Sequence, residues 1–195
     1  MPTGSHPVPG RRLRRGERRE QIIAAATRAF ARSGFAATSL DDVVGEAGIS
    51  RVILYRHFES KTDLYRAVLD RARRRLSEAC GEDQFTQATV PSLVNAAADD
   101  PDAFRLLFHH AAREPEFSDE MSEFSSNMVA IAHRHLTEPI PDPAWATWAA
   151  SLAPAVVIQA ITAWLEAGQP DPQQAAERVG QVLEAVTKAA RLPGG

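Results

Sequence analysis

Helix-start signals recur between Thr38 and Ser60 at intervals that leave no room for a long helix: Thr38 or Ser39, then Ser50, then Ser60. A serine or threonine just ahead of a helix accepts a hydrogen bond from a backbone N–H that has no partner within the helix. Gly48 falls just before the second of these signals, where a glycine ends a helix. The stretch "TSLDDVVGEAGISRVILYRHFESK" (38–61) therefore folds as a short helix, a tight turn and another short helix. Asp41 and Asp42 lie in the first turn of the former, beside the positive end of its dipole. Asp63, three residues after Ser60, has the spacing of a capping box for a further helix.

The rest of the chain is read in the same terms. Residues 1–16, with Pro, Gly, Ser and then "RRLRR", are expected to form a disordered basic arm. Ile22, Ile23, Ala26 and Phe30 recur at helical spacing from Arg18 to Ser33, and Gly34 stands at the C-cap position. The helix after Ser60 runs through Leu64, Val68, Leu69 and Leu76 to about Cys80. Helices follow around Thr89–Ala98, from Pro101, and along Phe117, Met121, Phe124, Met128 and Ile131. "PDPAWATWAASLAPAVVIQAITAWLEAG" predicts a long helix, almost uncharged until Glu166 and kinked at Pro154. Pro172 to Leu192 form the last helix, with Val179, Val182, Leu183 and Val186 as its apolar side. No strand-like alternation is present, so the expected fold is all-α, with about nine helices.

Charge divides the chain more sharply than its net −3 implies. Residues 1–80 hold 16 Lys+Arg against 9 Asp+Glu, and residues 81–195 hold 6 against 16. A basic first part beside an acidic remainder points to one end that meets a polyanion. The lone Cys80 excludes an internal disulfide and fits a reducing compartment. With no secretory signal and no run read as long enough to cross a bilayer, a cytoplasmic chain without a membrane partner is expected.

Two short helices with a Gly-containing turn and a basic surround match the helix-turn-helix arrangement, whose second helix enters the major groove. Leu40, Val43, Val44, Ile49, Leu54 and Phe58, with Ile23 and Phe30, supply its core. If Leu54 faces inward, Arg51, Val52 and Tyr55 fall on or near the exposed side, because a helix turns about 100° per residue. Residues 18 to about 70 resemble the DNA-binding domain of the TetR family of bacterial repressors. The resemblance rests on "IIAAATRAFARSGFAATSLDDVVGEAGIS" and "LYRHFESKTDLY", above all on the Ala47–Ser50 turn and the Leu54-Tyr55-x-His57-Phe58-x-x-Lys61 run.

That resemblance implies a DNA-binding domain at 17–64, with a recognition helix at about 50–57, and a ligand-binding and dimerisation domain at 65–195. It implies an inverted-repeat operator bound by a homodimer and released by a small effector. The DNA-contact set is then Thr38, Ser39, Ser50, Arg51, Val52, Ile53, Tyr55, Arg56, His57 and Lys61. Thr38 or Ser39 would offer a hydroxyl and N–H groups to a phosphate, and Arg51 a bidentate contact to guanine. Val52 and Ile53 depart from the family, which has Gly and Thr or similar small residues there. Their methyls can pack on thymine C5-methyl groups, although Ile53 can equally pack against the first helix.

In the second part, Phe104, Leu107, Phe108, Phe124, Met128, Trp148 and Trp164 form the expected lining of a largely apolar effector pocket. Plain core is their other reading. Ala153, Val157, Ala160, Val179, Leu183 and Val186 are expected at the dimer interface. Neither His109–His110 nor His133–His135 has the spacing of a helical metal pair, so no metal or cofactor is expected. A helical module without specific DNA binding is the alternative. An enzyme using His109, His110 or Glu114 is a remote third reading.

Overall fold

The computed structural model describes residues 14–81 and 88–192, so most of the expected basic arm lies outside the described residues. These residues form helices and turns, with no strand among them. The elements are α1 (Arg15–Ala37), α2 (Leu40–Ala47), α3 (Arg51–Tyr55), α4 (Lys61–Cys80), α5 (Thr89–Asp99), α6 (Pro101–Arg105), α7 (Ser118–Leu136), α8 (Pro143–Glu166) and α9 (Pro172–Ala190). A π-helical turn (Leu106–His110) and two 3-10 turns (Ala111–Arg113 and Pro115–Phe117) connect α6 to α7. The all-α fold follows the helical periodicity of the sequence.

The caps set most of these boundaries. Ser39 and Asp42 form a reciprocal capping box on α2, and Gly48 closes that helix at φ 63°. Ser60 accepts from the Asp63 amide at 3.0 Å to start α4. α1 begins at Arg15, earlier than expected, because Glu17 caps it through the Arg14 amide. Its regular part ends where expected: Gly34 leaves helical geometry at φ 74°, ψ 177°, and Phe35 begins a separate last turn. Pro154 is accommodated inside α8, which continues to Glu166 as one helix.

One core runs from the first helices into the body. Ile22, Ile23, Phe30, Val43, Leu54, Phe58, Leu64 and Tyr65 pack with Leu106, Leu107, Ala111, Phe117 and Met121. Phe30 and Phe117 each stack on Tyr65, at centroid distances of 4.9 and 4.6 Å. Polar links follow the same seam. Glu114 accepts from the Phe35 amide at 2.9 Å, Thr62 donates to Glu116 at 2.9 Å, and Arg66 donates to Glu120 at 2.8 Å. The buried Arg71 guanidinium lies 3.4 Å from Glu20 and 3.7 Å from Asp100, bridging α1, α4 and the N-cap of α6.

His110 lies in this seam, where burial and then His109 hold its imidazole below the ordinary value, against opposing pulls from the Ala31 backbone and Glu114. Between the lowered folded value and the ordinary value near 6.5, the unfolded chain binds a proton that the folded chain refuses. Stability therefore falls as pH drops through that window. Urea melts at about pH 7.5 and 5.5 should show a smaller loss for His110→Gln than for the native chain. An equal loss in both would exclude His110 as a contributor.

Three expectations for the second part are corrected. Ala153, Val157, Val179 and Val186 are at most 9% exposed, so their side chains are spent within the monomer. Ala160 and Leu183 are partly buried against the same packing. Trp148 is 41% exposed and stacks edge-on with Trp145 at 5.7 Å. Trp164 is core, its indole donating to the Pro170 carbonyl at 2.8 Å. Third, α8 is long and apolar enough to cross a membrane, contrary to the expectation that no such run exists, with mean hydropathy 1.5 over its most apolar window. Here it packs between α7 and α9, burying Ala146, Ala149, Ala150 and Ile161.

Phe104, Leu107 and Phe108 do line one cavity, of about 230 Å³, together with Ala72, Arg75, Leu76, Asp99 and Asp100. Phe124 and Met128 are not in its wall. Phe124 sits 6.0 Å from Phe108, ring centre to ring centre, and packs on the core instead.

Candidate nucleic-acid interface

The geometry of α3 follows from one buried residue. Leu54 is fully buried against the α1–α2 core, and Phe58, at 2% exposure, closes the turn behind it. Fixing Leu54 inward leaves Val52 at 62% and Tyr55 at 53% exposure, with Arg51 and Arg56 also exposed. Ile53 is half-buried and packs against the core. Of the two readings left open for it, this placement favours packing on the first helices. The regular helix is shorter than expected, because Arg56 and His57 belong to the closing turn.

Two ties seat α2 against α1. Glu46 accepts from Arg28 at 2.8 Å and Arg32 at 2.7 Å, while Gln21 donates to the Ala47 carbonyl at 2.9 Å. Ser50 starts α3 from an extended backbone, with no side-chain cap bond from its hydroxyl. Ser39 is exposed, but its hydroxyl is engaged with Asp42. Thr38 is a correction. It is 2% exposed and donates inward to the Gly34 carbonyl at 2.7 Å, which satisfies its hydroxyl away from the surface.

Lys61 reaches back to the end of α1, donating to the Ala36 carbonyl at 3.3 Å with its ammonium 4.5 Å from the centre of the Phe35 ring. His57 faces α1; partial burial and then Arg15, Arg19 and Arg18 hold it below its ordinary value. It is therefore a neutral hydrogen-bonding group at pH 7. Arg51 is gripped by Asp41 of α2, whose carboxylate accepts from both Nε and Nη2. Asp41 was missed as a site residue. Its place in the first turn of α2 reads as a dipole contact, and ten positions separate it from Arg51, outside any local helical spacing.

Residues 22–68 match the N-terminal domain of bacterial regulatory proteins of the tetR family. These residues therefore carry that family's N-terminal domain. The chain is 35% identical over 109 residues to the HTH-type transcriptional activator FasR of Mycolicibacterium smegmatis, covering 52% of this chain and 50% of that one. The chain thus spans about half the length of that curated relative, and less of the next ones it matches. A TetR-like transcriptional regulator from Rhodococcus sp. RHA1 superposes with TM-score 0.78 at 19% identity, covering 91% of this chain and 97% of that one. The regulator FadR from Bacillus subtilis, solved in complex with stearoyl-CoA, superposes with TM-score 0.65 at 18% identity, covering 89% and 99%. At these identities the two structures establish the shared fold.

Proposed function

We propose that this chain is a TetR-family DNA-binding transcriptional regulator that reads an inverted-repeat operator as a homodimer and is released by a small, largely apolar effector. Repression is the mode proposed, although the activator FasR is among its relatives. The observation that carries the DNA-reading part is the exposed ridge of Arg51, Val52 and Tyr55 on a helix whose only fully buried residue is Leu54. An apolar residue exposed at 62% beside an arginine is complementary to a partner with both methyl and acceptor groups. The major-groove edges of thymine and guanine have both. Ser50, Arg56 and His57 flank the ridge as backbone contacts, and the basic arm before Arg18 would add phosphate contacts.

In this reading residues 17–64 form the DNA-binding part and 65–195 the effector and dimer part, of a cytoplasmic regulator rather than an enzyme. The cavity between α4, α5 and α6 is the effector site, with Phe104, Leu107 and Phe108 in its wall. The acyl-CoA held by the B. subtilis FadR supports an effector with a long apolar portion. Such a chain exceeds about 230 Å³, so the cavity would have to widen on binding. The exposed faces of α8 and α9, including Trp145, Trp148 and Val182, are assigned to the dimer in place of the buried residues.

Fluorescence anisotropy against tiled fragments of DNA flanking the protein's own gene, at two salt concentrations, tests the reading. One fragment should bind at least about a thousandfold more tightly than random DNA, and every affinity should weaken with salt. Equal, weak binding to all fragments, followed by no specific site genome-wide, would favour a helical module without specific DNA binding.

A further inference from the structure

We propose that Asp41 is a specificity-determining residue of the DNA interface: it grips one edge of the Arg51 guanidinium and holds the other edge ready for the base that Arg51 reads. This rests on the proposed insertion of α3 into the major groove.

The pairing uses Nε and Nη2 of Arg51, one edge of the planar fork. The opposite edge, made of Nη1 and the second N–H of Nη2, is the pair of parallel donors that matches guanine O6 and N7. A flexible arginine on an exposed helix samples many rotamers, and ordering it on binding weakens discrimination. An arginine clamped side-on has met that ordering beforehand. The clamp comes from a second element, since Asp41 lies in the first turn of α2 and Arg51 in the first turn of α3. The turn at Gly48 therefore fixes the position of the reading group.

Stability does not account for the pair. Both side chains are about three-fifths exposed, at 60% and 61%, where ion pairs contribute little. A carboxylate on a surface that meets phosphates also weakens attraction to DNA. The other acids of α2 are engaged within the fold: Asp42 closes the capping box on Ser39, and Glu46 ties Arg28 and Arg32. The bond from Arg51 holds the Asp41 carboxyl below its ordinary range, so the clamp persists at neutral pH.

The assignment predicts opposite changes in two quantities, which a purely structural role would not produce. Removing the carboxylate should lower discrimination at one base while raising affinity for random DNA. The full chain, Asp41→Asn, Asp41→Ala and Arg51→Ala would each select from a randomised double-stranded library. Enriched duplexes and their single-base variants would then be compared by competition anisotropy, with circular dichroism verifying the fold. The native chain should enrich a guanine in each half-site that Arg51→Ala no longer requires. Both Asp41 variants should lose about tenfold of the preference at that guanine alone, and bind random DNA more tightly. Full retention of the guanine preference in the Asp41 variants would overturn the assignment while leaving DNA binding by α3 intact. So would a selected site with no Arg51-dependent guanine. A native chain that enriches no sequence would overturn the DNA-reading proposal and this assignment together.

Discussion

Replacing Leu54 by alanine should destabilise the protein by about 2–5 kcal/mol and abolish the proposed operator binding. Leu54 is fully buried in the cluster that includes Ile23, Phe30, Val43 and Phe58, and it anchors the five-residue α3 to the first two helices. A helix this short has no stability of its own, so its orientation depends on that contact. Thermal melts should show a midpoint lower by roughly 5–15 °C, at about 2–4 °C per kcal/mol for a chain of this size. Val52→Ala, two positions away, is the contrasting case. At 62% exposure its loss should leave stability within about 0.5 kcal/mol while weakening the proposed operator contact. If the two variants melt alike, α3 is turned the other way and the assigned ridge is wrong.

Gly34→Ala should cost about 2–3 kcal/mol by a different route. At φ 74°, ψ 177° the backbone occupies a region that is nearly closed to residues with a Cβ. An added methyl would also stand 3.2 Å from Glu114 Oε1 and 3.4 Å from His110 Nδ1. Those two side chains belong to the connector between α6 and α7, and Glu114 is the acceptor for the Phe35 amide. The variant should therefore loosen that bond as well as strain α1, and amide exchange at Phe35 should accelerate along with a lower melting midpoint. An unchanged exchange rate at Phe35 would show that the strain is absorbed elsewhere.

The outline of the fold was legible because the sequence states its boundaries chemically. Ser39, Ser50 and Ser60 start helices, Gly34 and Gly48 end them, and Leu54 at the centre of α3 divides inward from outward. Where a helix is apolar all round, the same reasoning has nothing to resolve. α8 carries small and apolar residues on every side, so its periodicity could not say that Ala153 and Val157 turn inward while Trp145 and Trp148 turn outward. Thr38 and Ser39 are equally good caps in one dimension. Only the position of the Gly34 and Ala29 carbonyls decides that Thr38 is the buried one. Asp41 was invisible for a related reason: its partner lies across a turn, at a distance set by tertiary packing rather than helical spacing.

The single core that joins Ile22 and Leu54 to Leu106 and Phe117 bears on how such chains diversify. Exchange of reading heads between relatives by recombination near residues 64 and 65 would cut through the middle of one packed cluster. Tyr65 would then meet rings shaped by a different lineage at both Phe30 and Phe117. On the proposed reading, a new DNA preference is reached more readily by single changes on the outer ridge of α3, which touch none of this packing. Inheritance along this line should vary the ridge freely and the seam only in concert.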